Sequence, residues 1–506
     1  MRSLGGRTVD LLVIGGGIVG AGIARDAALR GLSVALVEQH DLASGTSSRP
    51  TRLIHGGLRY LELFDFGLVR SDMRERETLL SIAPHLVFPL AFLLPLYRPT
   101  PFYRLKLRVG MFLYDLLSLD KSLPKRRRLG RADTLAAEPN LDPDGLSGAW
   151  RFYDATVPFV ERLVVENAVD AAAHGALVLN HARATGYLRD ADGIRVIGAR
   201  IHDEIGGADV EIRARYTVIA TGPWLDMTVG SLRRNAKRPL LRLTKGTHLV
   251  IPRATEQAHV LFAKRDGRLF FVLPWNGYTI VGTTDTDYTG DPADAEASED
   301  DVRYLVSEAS RAFPRASLDR IHFTWAGVRA LVRVEGVAEG EVSRKHALLD
   351  HERTDGVPGV LSVIGGKITA YRLIASEVTD IVAKRLGSAK RSSTAERALP
   401  GAGDADRRAL DAIVAGDPSL AAPVCEHVAT TRAEVVRAVR DEWAVTIGDV
   451  LLRRTAIGLA ACQGLDCLDG IADLIAQVAG WDGARRTAEI AAYRHEIAPM
   501  RKFATA

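Results

Sequence analysis

The chain has 506 residues, 47% hydrophobic and 25% charged, with a formal net charge of +4 and a pI near 8.9. That length suits roughly two or three domains, the composition excludes a disordered chain, and the charge is too mild to argue nucleic-acid binding. Three cysteines, Cys425, Cys462 and Cys467, cannot make a disulfide framework, so a reducing, intracellular compartment is expected.

In chain order, Met1 to Val9 holds no apolar core of the kind a signal peptide needs, so none is expected. Asp10 to Ile14 reads as a buried parallel strand, Ile18 to Arg30 as an Ala-rich helix, and Ser33 to Val37 as a second strand ending in Glu38. Between strand and helix lies Gly15-Gly16-Gly17-Ile18-Val19-Gly20. In such a turn Gly15 permits the tight bend, Gly17 lets the backbone approach a pyrophosphate and Gly20 allows close helix packing. A carboxylate at Glu38 accepts ribose hydroxyls and opposes the extra phosphate of NADP, which leaves FAD or NAD. The dense polar stretch from Thr46 to Tyr60 follows.

The longest apolar stretch, Leu86 to Tyr97, is interrupted by Pro89 and Pro95 and is too short to cross a bilayer. From Arg98 to Arg131 ten Lys or Arg face only Asp115 and Asp120, interleaved with Phe102, Tyr103, Phe112 and Tyr114. That mixture suits an anionic membrane surface, or else a solvated basic loop beside a core-facing helix. Further on, Pro158 to His174 reads as a helix and Ala176 to Leu179 as a strand. Ile194 to His202 with Val210 to Tyr216 reads as a hairpin, followed by a buried strand from Thr217 into Thr221-Gly222-Pro223-Trp224. Leu269 to Pro274 and Thr279 to Gly282 suit an antiparallel sheet. Val360 to Ile364 leads through Gly365-Gly366 into another helix. Beyond a linker at Pro400 to Gly403 the pattern is helical, with Val435, Val436, Val439 and Trp443 on one face.

These motifs closely resemble the aerobic FAD-dependent glycerol-3-phosphate dehydrogenases of the D-amino-acid-oxidase-like flavoprotein group. The resemblance rests on the Gly15 to Gly20 turn, Thr46-Ser47-Ser48, Leu53 to Glu62, Ala83 to Leu86, Ala220 to Trp224, Lys245-Gly246-Thr247-His248, Gly282 to Asp285, Gly327-Val328-Arg329, Gly365-Gly366-Lys367, Trp443 to Thr446 and Asp449 to Thr455. It implies an α/β fold: a FAD-binding Rossmann-like domain (about 1–85, 158–235 and 355–399) with inserted antiparallel-sheet substrate parts (about 86–157 and 236–354) and a helical C-terminal cap at 400–506. It also implies oxidation of sn-glycerol 3-phosphate to dihydroxyacetone phosphate by hydride transfer to FAD, with electrons passing to membrane quinone. The protein would then sit in the cytoplasm, peripheral at the inner face of the cell membrane, with a homodimer among its oligomeric states. The same half-reaction followed by transfer to O2, and an amine or amino-acid oxidase on the same fold, are the rival readings. A flavin-free binding protein is a third, opposed by the intact glycine turn.

Within that resemblance Gly15, Gly17, Gly20, Glu38, Thr46, Ser47, Ser48, His55, Gly57, Thr221, Gly222, Gly366, Lys367 and Thr369 are expected to hold the cofactor. Bidentate arginines suit a doubly charged phosphate, so Arg329 and Arg344, helped by Arg59 and Tyr60, are the substrate candidates. His55 or His248 takes the carbinol proton as general base, and Lys367 places positive charge beside the flavin. Arg329 is followed by Ala330 where the family often has proline. No metal is expected: an iron–sulfur cluster normally needs four thiolates, and Cys462 and Cys467 read as small hydrophobes on an apolar helical segment.

Overall fold

The computed structural model describes residues 8–57, 65–98, 100–118, 121–235, 237–333 and 345–505. Two compact units divide the chain: Met1–Ser48 with Phe159–Leu243 and Arg329–Arg494, and Arg49–Pro158 with Thr244–Val328 and His495–Ala506. The first segment of the first unit ends at residue 48. Leu53–Ile54 pair with Leu146–Thr156, which draws the polar stretch into the second unit.

In the first unit the apolar run Thr8–Ile14 lies between Val34–Val37 and Asp209–Ile219, parallel to both, with Ile14 opposite Val37 and Ile219. Leu177–Leu179 and Val360–Ile364 extend the parallel sheet on either side. Burial on both faces explains why these strands are apolar without alternation. Asp209–Ile219 is one continuous strand where the sequence suggested two. Its first half pairs antiparallel with Val196–Asp203, and its second half joins the parallel sheet. Helix Ile18–Leu29 covers the sheet and packs on helices Val160–Ala173 and Tyr371–Leu386. Gly22 makes the latter contact possible, since a Cβ there would meet Tyr371 at 3.0 Å.

The C-terminal helices from Asp404–Gly416 to Leu468–Ala479 belong to this same unit. A buried ionic network fastens them to the loop after Val34–Val37. Asp41 accepts from Arg453 and from both terminal nitrogens of Arg454, each at 2.7 Å. Asp449 accepts from Arg453 at 2.9 Å, from His181 at 3.0 Å and from the Val445 and Thr446 N–H groups. Burial opposes the charged forms, but the partners outweigh it: His181 is raised and Asp449 is held far below the usual carboxylate range. Two expectations fail here. Helix Arg432–Asp441 ends before Trp443, which has φ +59°, so Trp443 does not continue the helical face. Cys462 and Cys467 lie on a turn and a short 3-10 segment, Leu465–Cys467, not on a helix.

A ten-stranded sheet carries the second unit, running through Leu241–Pro252, Tyr278–Gly282, Leu269–Trp275, Ala258–Phe262, Phe88–Tyr97 and Leu146–Thr156. The apolar stretch with two prolines is thus the strand Phe88–Tyr97. Alternation separates its faces: Leu249, Ile251, Phe270, Val272 and Val281 pack with Leu305, Ala309 and Phe313 in one core, which leaves His248 and Phe271 for the other face. Helix Glu299–Ala312, which supplies that core, starts with a capping box between Ser298 and Asp301. In the basic segment, Pro101–Leu116 is a helix, and Lys121 and Arg126 both pair with Asp115. Among the described residues no helix is long and apolar enough to cross a membrane.

Candidate active site

Four parallel strands deliver the cofactor candidates to one edge of the first unit: Gly15 follows Ile14, Glu38 follows Val37, Thr221 follows Ile219 by two residues, and Gly365 follows Ile364. The carboxyl edge of such a sheet, where the chain leaves the central strand in opposite directions, is where nucleotides bind. Gly15 has φ +111°, and a Cβ there would meet the Ala220 carbonyl oxygen at 2.5 Å. A Cβ on Gly20 would lie 1.8 Å from the Gly15 oxygen. Gly20 therefore seats the helix against its own turn, and the close helix–helix packing belongs to Gly22.

Gly17 is the N-cap of helix Ile18–Leu29, whose first turn holds no acidic residue. Ser47 accepts the Ile18 N–H at 2.9 Å, which ties the Thr46–Ser48 segment to the helix start. Glu38 accepts the Gly16 N–H at 2.7 Å and the His40 N–H at 3.0 Å, one through each oxygen. Burial raises its pKa, while both N–H bonds pull it down. Thr221 accepts from the Thr228 hydroxyl at 3.1 Å. Gly222, with φ +52°, has open space where a Cβ would stand. On the neighbouring strand end Gly365 and Gly366 have φ +69° and +114°, and Lys367 caps the 3-10 turn Ile368–Ala370 that holds buried Thr369.

In the second unit His248 lies opposite Gly282 across adjacent strands, and Gly282 lies opposite Phe271 on the next. A Cβ on Gly282 would strike the His248 ring at 2.4 Å, so the missing side chain makes room for the imidazole. Buried His248 stacks on Trp325 with centroids 5.3 Å apart, and its Nε2 bonds the Thr51 hydroxyl at 2.9 Å. Half-buried His55 meets Phe271 edge-on at 6.4 Å. His55 Nδ1 accepts the Gly57 N–H at 3.1 Å, and Gly57 needs its φ of +72°. The structure thus sets both histidines against one strip of the sheet.

A profile of the FAD-dependent oxidoreductase family matches residues 10–372, and one for the C-terminal domain of alpha-glycerophosphate oxidase matches residues 403–486. The chain belongs to the FAD-dependent oxidoreductase family. It is 36% identical to a glycerol-3-phosphate dehydrogenase of Synechocystis, covering 96% of each chain. It is 37% identical to glycerol-3-phosphate dehydrogenase 2 of Mycobacterium tuberculosis, covering 98% of this chain and 89% of that protein. The crystal structure of glycerol-3-phosphate dehydrogenase from Bacillus halodurans, complexed with FAD, superposes with a TM-score of 0.76 at 27% identity, covering 98% and 96% of the two chains.

FAD is the cofactor of this oxidoreductase, and the strand-end cradle fits it. The turn Gly15-Gly16-Gly17 carries no side chains, and the first turn of the helix that follows holds no acidic residue, which suits an anion at the helix start. Glu38 already spends one contact per oxygen on backbone N–H groups, and a carboxylate has further lone pairs for ribose hydroxyls. Of the substrate candidates, Arg329 is half-buried in strand Phe323–Val332. Arg59, Tyr60 and Arg344 lie outside the described residues.

Sequence reasoning missed the scaffold beneath His55. Asp154 accepts from Arg76 at 2.5 Å, from Tyr114 at 2.6 Å and from the Gly56 N–H at 3.4 Å. A Cβ on Gly56 would meet Tyr114 at 2.9 Å. Arg52 was also missed. Its φ is +59°, it donates to the Pro158 carbonyl at 3.0 Å and it stacks on Trp275 and Trp325 at 5.0 and 5.3 Å. No spacing pattern marks these residues, and Arg52 is one of three arginines, with Arg49 and Arg59, among the glycines and hydroxyls of the polar stretch.

Proposed function

We propose that the protein oxidises sn-glycerol 3-phosphate to dihydroxyacetone phosphate and passes the electrons to membrane quinone. The observation that carries this reading is the FAD cradle at the strand ends in a chain similar along nearly its whole length to named glycerol-3-phosphate dehydrogenases. Bound FAD supplies the hydride acceptor. The chain's residues do the rest: the secondary carbon loses its hydride, the hydroxyl proton goes to a histidine, and the carbonyl forms between them. His55 takes the Gly57 N–H on Nδ1, so its neutral form carries the proton on Nε2 and serves as a donor to substrate oxygen. That leaves His248 as the base, with the Thr51 hydroxyl able to pass its proton on. Arg329, with Arg59 and Arg344, would bind the phosphate, and Lys367 would supply positive charge to the bound flavin.

Quinone as acceptor fits the helix Pro101–Leu116. Phe102, Leu105, Val109, Phe112 and Leu116 are all exposed, Phe102 by 77%, and their spacing of three and four places them on one stripe. Arg104, Lys106 and Arg108 accompany it. An apolar stripe with cations matches an anionic lipid surface, where the rings enter the interface and the cations meet headgroups. Lys121 and Arg126 pair with Asp115, so within the basic segment the exposed helix is the part best placed to make the contact. The acceptor is tested by turnover in air with and without a quinone analogue. Slow turnover rescued by the quinone is expected; peroxide matching substrate consumption would make the protein an oxidase instead.

A further inference from the structure

The three cysteines, separated by up to 42 residues in the chain, converge in the C-terminal region of the first unit. Cys425 ends strand Pro423–Cys425 and pairs with Val428, so Glu426 and His427 form the loop of a tight hairpin. The hairpin's first strand packs on the segment Leu465–Cys467. That segment follows a left-handed turn at Gly464, with φ +75°, whose N–H donates to the Cys462 sulfur at 3.4 Å.

Ligand atoms of His427, Cys462 and Asp466 all lie within 4.8 Å of one another. His427 Nε2 meets an Asp466 oxygen at 3.0 Å, which leaves Nδ1 as the nitrogen able to ligate. The buried Cys425 thiol interacts with both Cys462 and Cys467. Counting cysteines alone overlooks His427, which brings the soft donor set to four.

We propose that Cys425, His427, Cys462 and Cys467 bind a thiophilic divalent cation of the zinc class, with Asp466 orienting the imidazole. Three thiolates and a histidine are a closed tetrahedral set, the kind that serves structure instead of catalysis. A carboxylate on the far nitrogen of a ligating histidine fixes its tautomer and raises its basicity, and an N–H on a sulfur stabilises the thiolate. Metal–sulfur bonds of about 2.3 Å place tetrahedral ligands roughly 3.5–4 Å apart; His427 and Cys462, within 4.8 Å of each other, stand close to that spacing, and the packing of strand Pro423–Cys425 on Leu465–Cys467 brings the other two cysteines to the same corner. The ion would pin the hairpin to the turn that leads into helix Leu468–Ala479.

Metal analysis of the untagged, full-length flavoprotein tests this. Zinc near stoichiometric with the chain is expected after dialysis against a chelator, and cobalt substituted for it should give the visible bands of tetrahedral thiolate coordination. Cys425→Ser and Cys462→Ser should lose the metal while the flavin spectrum is retained. Metal-free protein with freely titrating thiols, a disulfide among the three, or iron with acid-labile sulfide would each overturn the proposal. Should the serine variants fold poorly, the metal content and cobalt spectrum of the parent protein decide by themselves.

Discussion

At the residue scale, the positions that were readable are those whose geometry is set by the backbone within a short span. Gly15, Gly20, Ser47 and Glu38 all contact the same turn, and their spacing follows from one strand, one helix and a second strand. The Asp154 scaffold was unreadable because Gly56, Arg76 and Tyr114 reach it from 98, 78 and 40 residues away. The histidines stand between these cases: motif resemblance selected them, and only the strand register shows that Gly282 clears space for His248. With His248 as the base, His248→Asn should lower kcat by about 100- to 10,000-fold and leave flavin content unchanged, measured in a steady-state assay beside the flavin absorbance. His55→Asn should instead raise KM more than it lowers kcat. The reverse pattern would exchange their roles.

Among the elements, the parallel strands were legible because each is a short, continuous apolar run. Asp209–Ile219 was misread as two strands because its pattern changes where its pairing changes: alternating burial along the hairpin half gives way to complete burial in the sheet. Helix Arg432–Asp441 was extended too far because Trp443 keeps helical spacing while its backbone does not. The exposed stripe of Pro101–Leu116 shows only when burial is known, since the same period fits a core-facing helix. If that stripe meets lipid, Phe102→Ser with Phe112→Ser should weaken sedimentation with anionic vesicles at least tenfold, as loss of roughly 1.5–3 kcal/mol of burial per ring implies. Unchanged sedimentation would remove this helix from the contact.

The ionic fastening of the C-terminal helices has a pH signature. His181 is raised in the folded protein, so its contribution is complete below the unfolded histidine value of about 6.5 and is lost as pH rises through the folded value. Asp449 is lowered, so its contribution is complete above the ordinary carboxylate range and is lost only as pH falls through the folded value. Hydrogen exchange in Asp449–Arg454 should therefore quicken as pH rises through the His181 transition, beyond the intrinsic pH effect. His181→Ala should abolish that step. Asp449→Asn, which leaves buried arginine charge uncompensated, should cost about 3–5 kcal/mol in denaturant unfolding.

For the whole molecule, each unit is assembled from segments far apart in the chain, so composition along the sequence could not draw the boundary between them. The glycine turn, Thr221 and Lys367 arrive from three different stretches and meet because Thr8–Ile14, Asp209–Ile219 and Val360–Ile364 share one parallel sheet. The sheet order thus gathers the proposed FAD cradle, and the resemblance to glycerol-3-phosphate dehydrogenases supplies the proposed substrate. The most direct test of that pairing is anaerobic addition of sn-glycerol 3-phosphate to flavin-loaded protein while the flavin spectrum is recorded. Prompt bleaching with formation of dihydroxyacetone phosphate is expected, with no bleaching by amino acids. A fully loaded flavin that stays oxidised under the phosphate, or that bleaches with an amino acid instead, would contradict the proposed reaction.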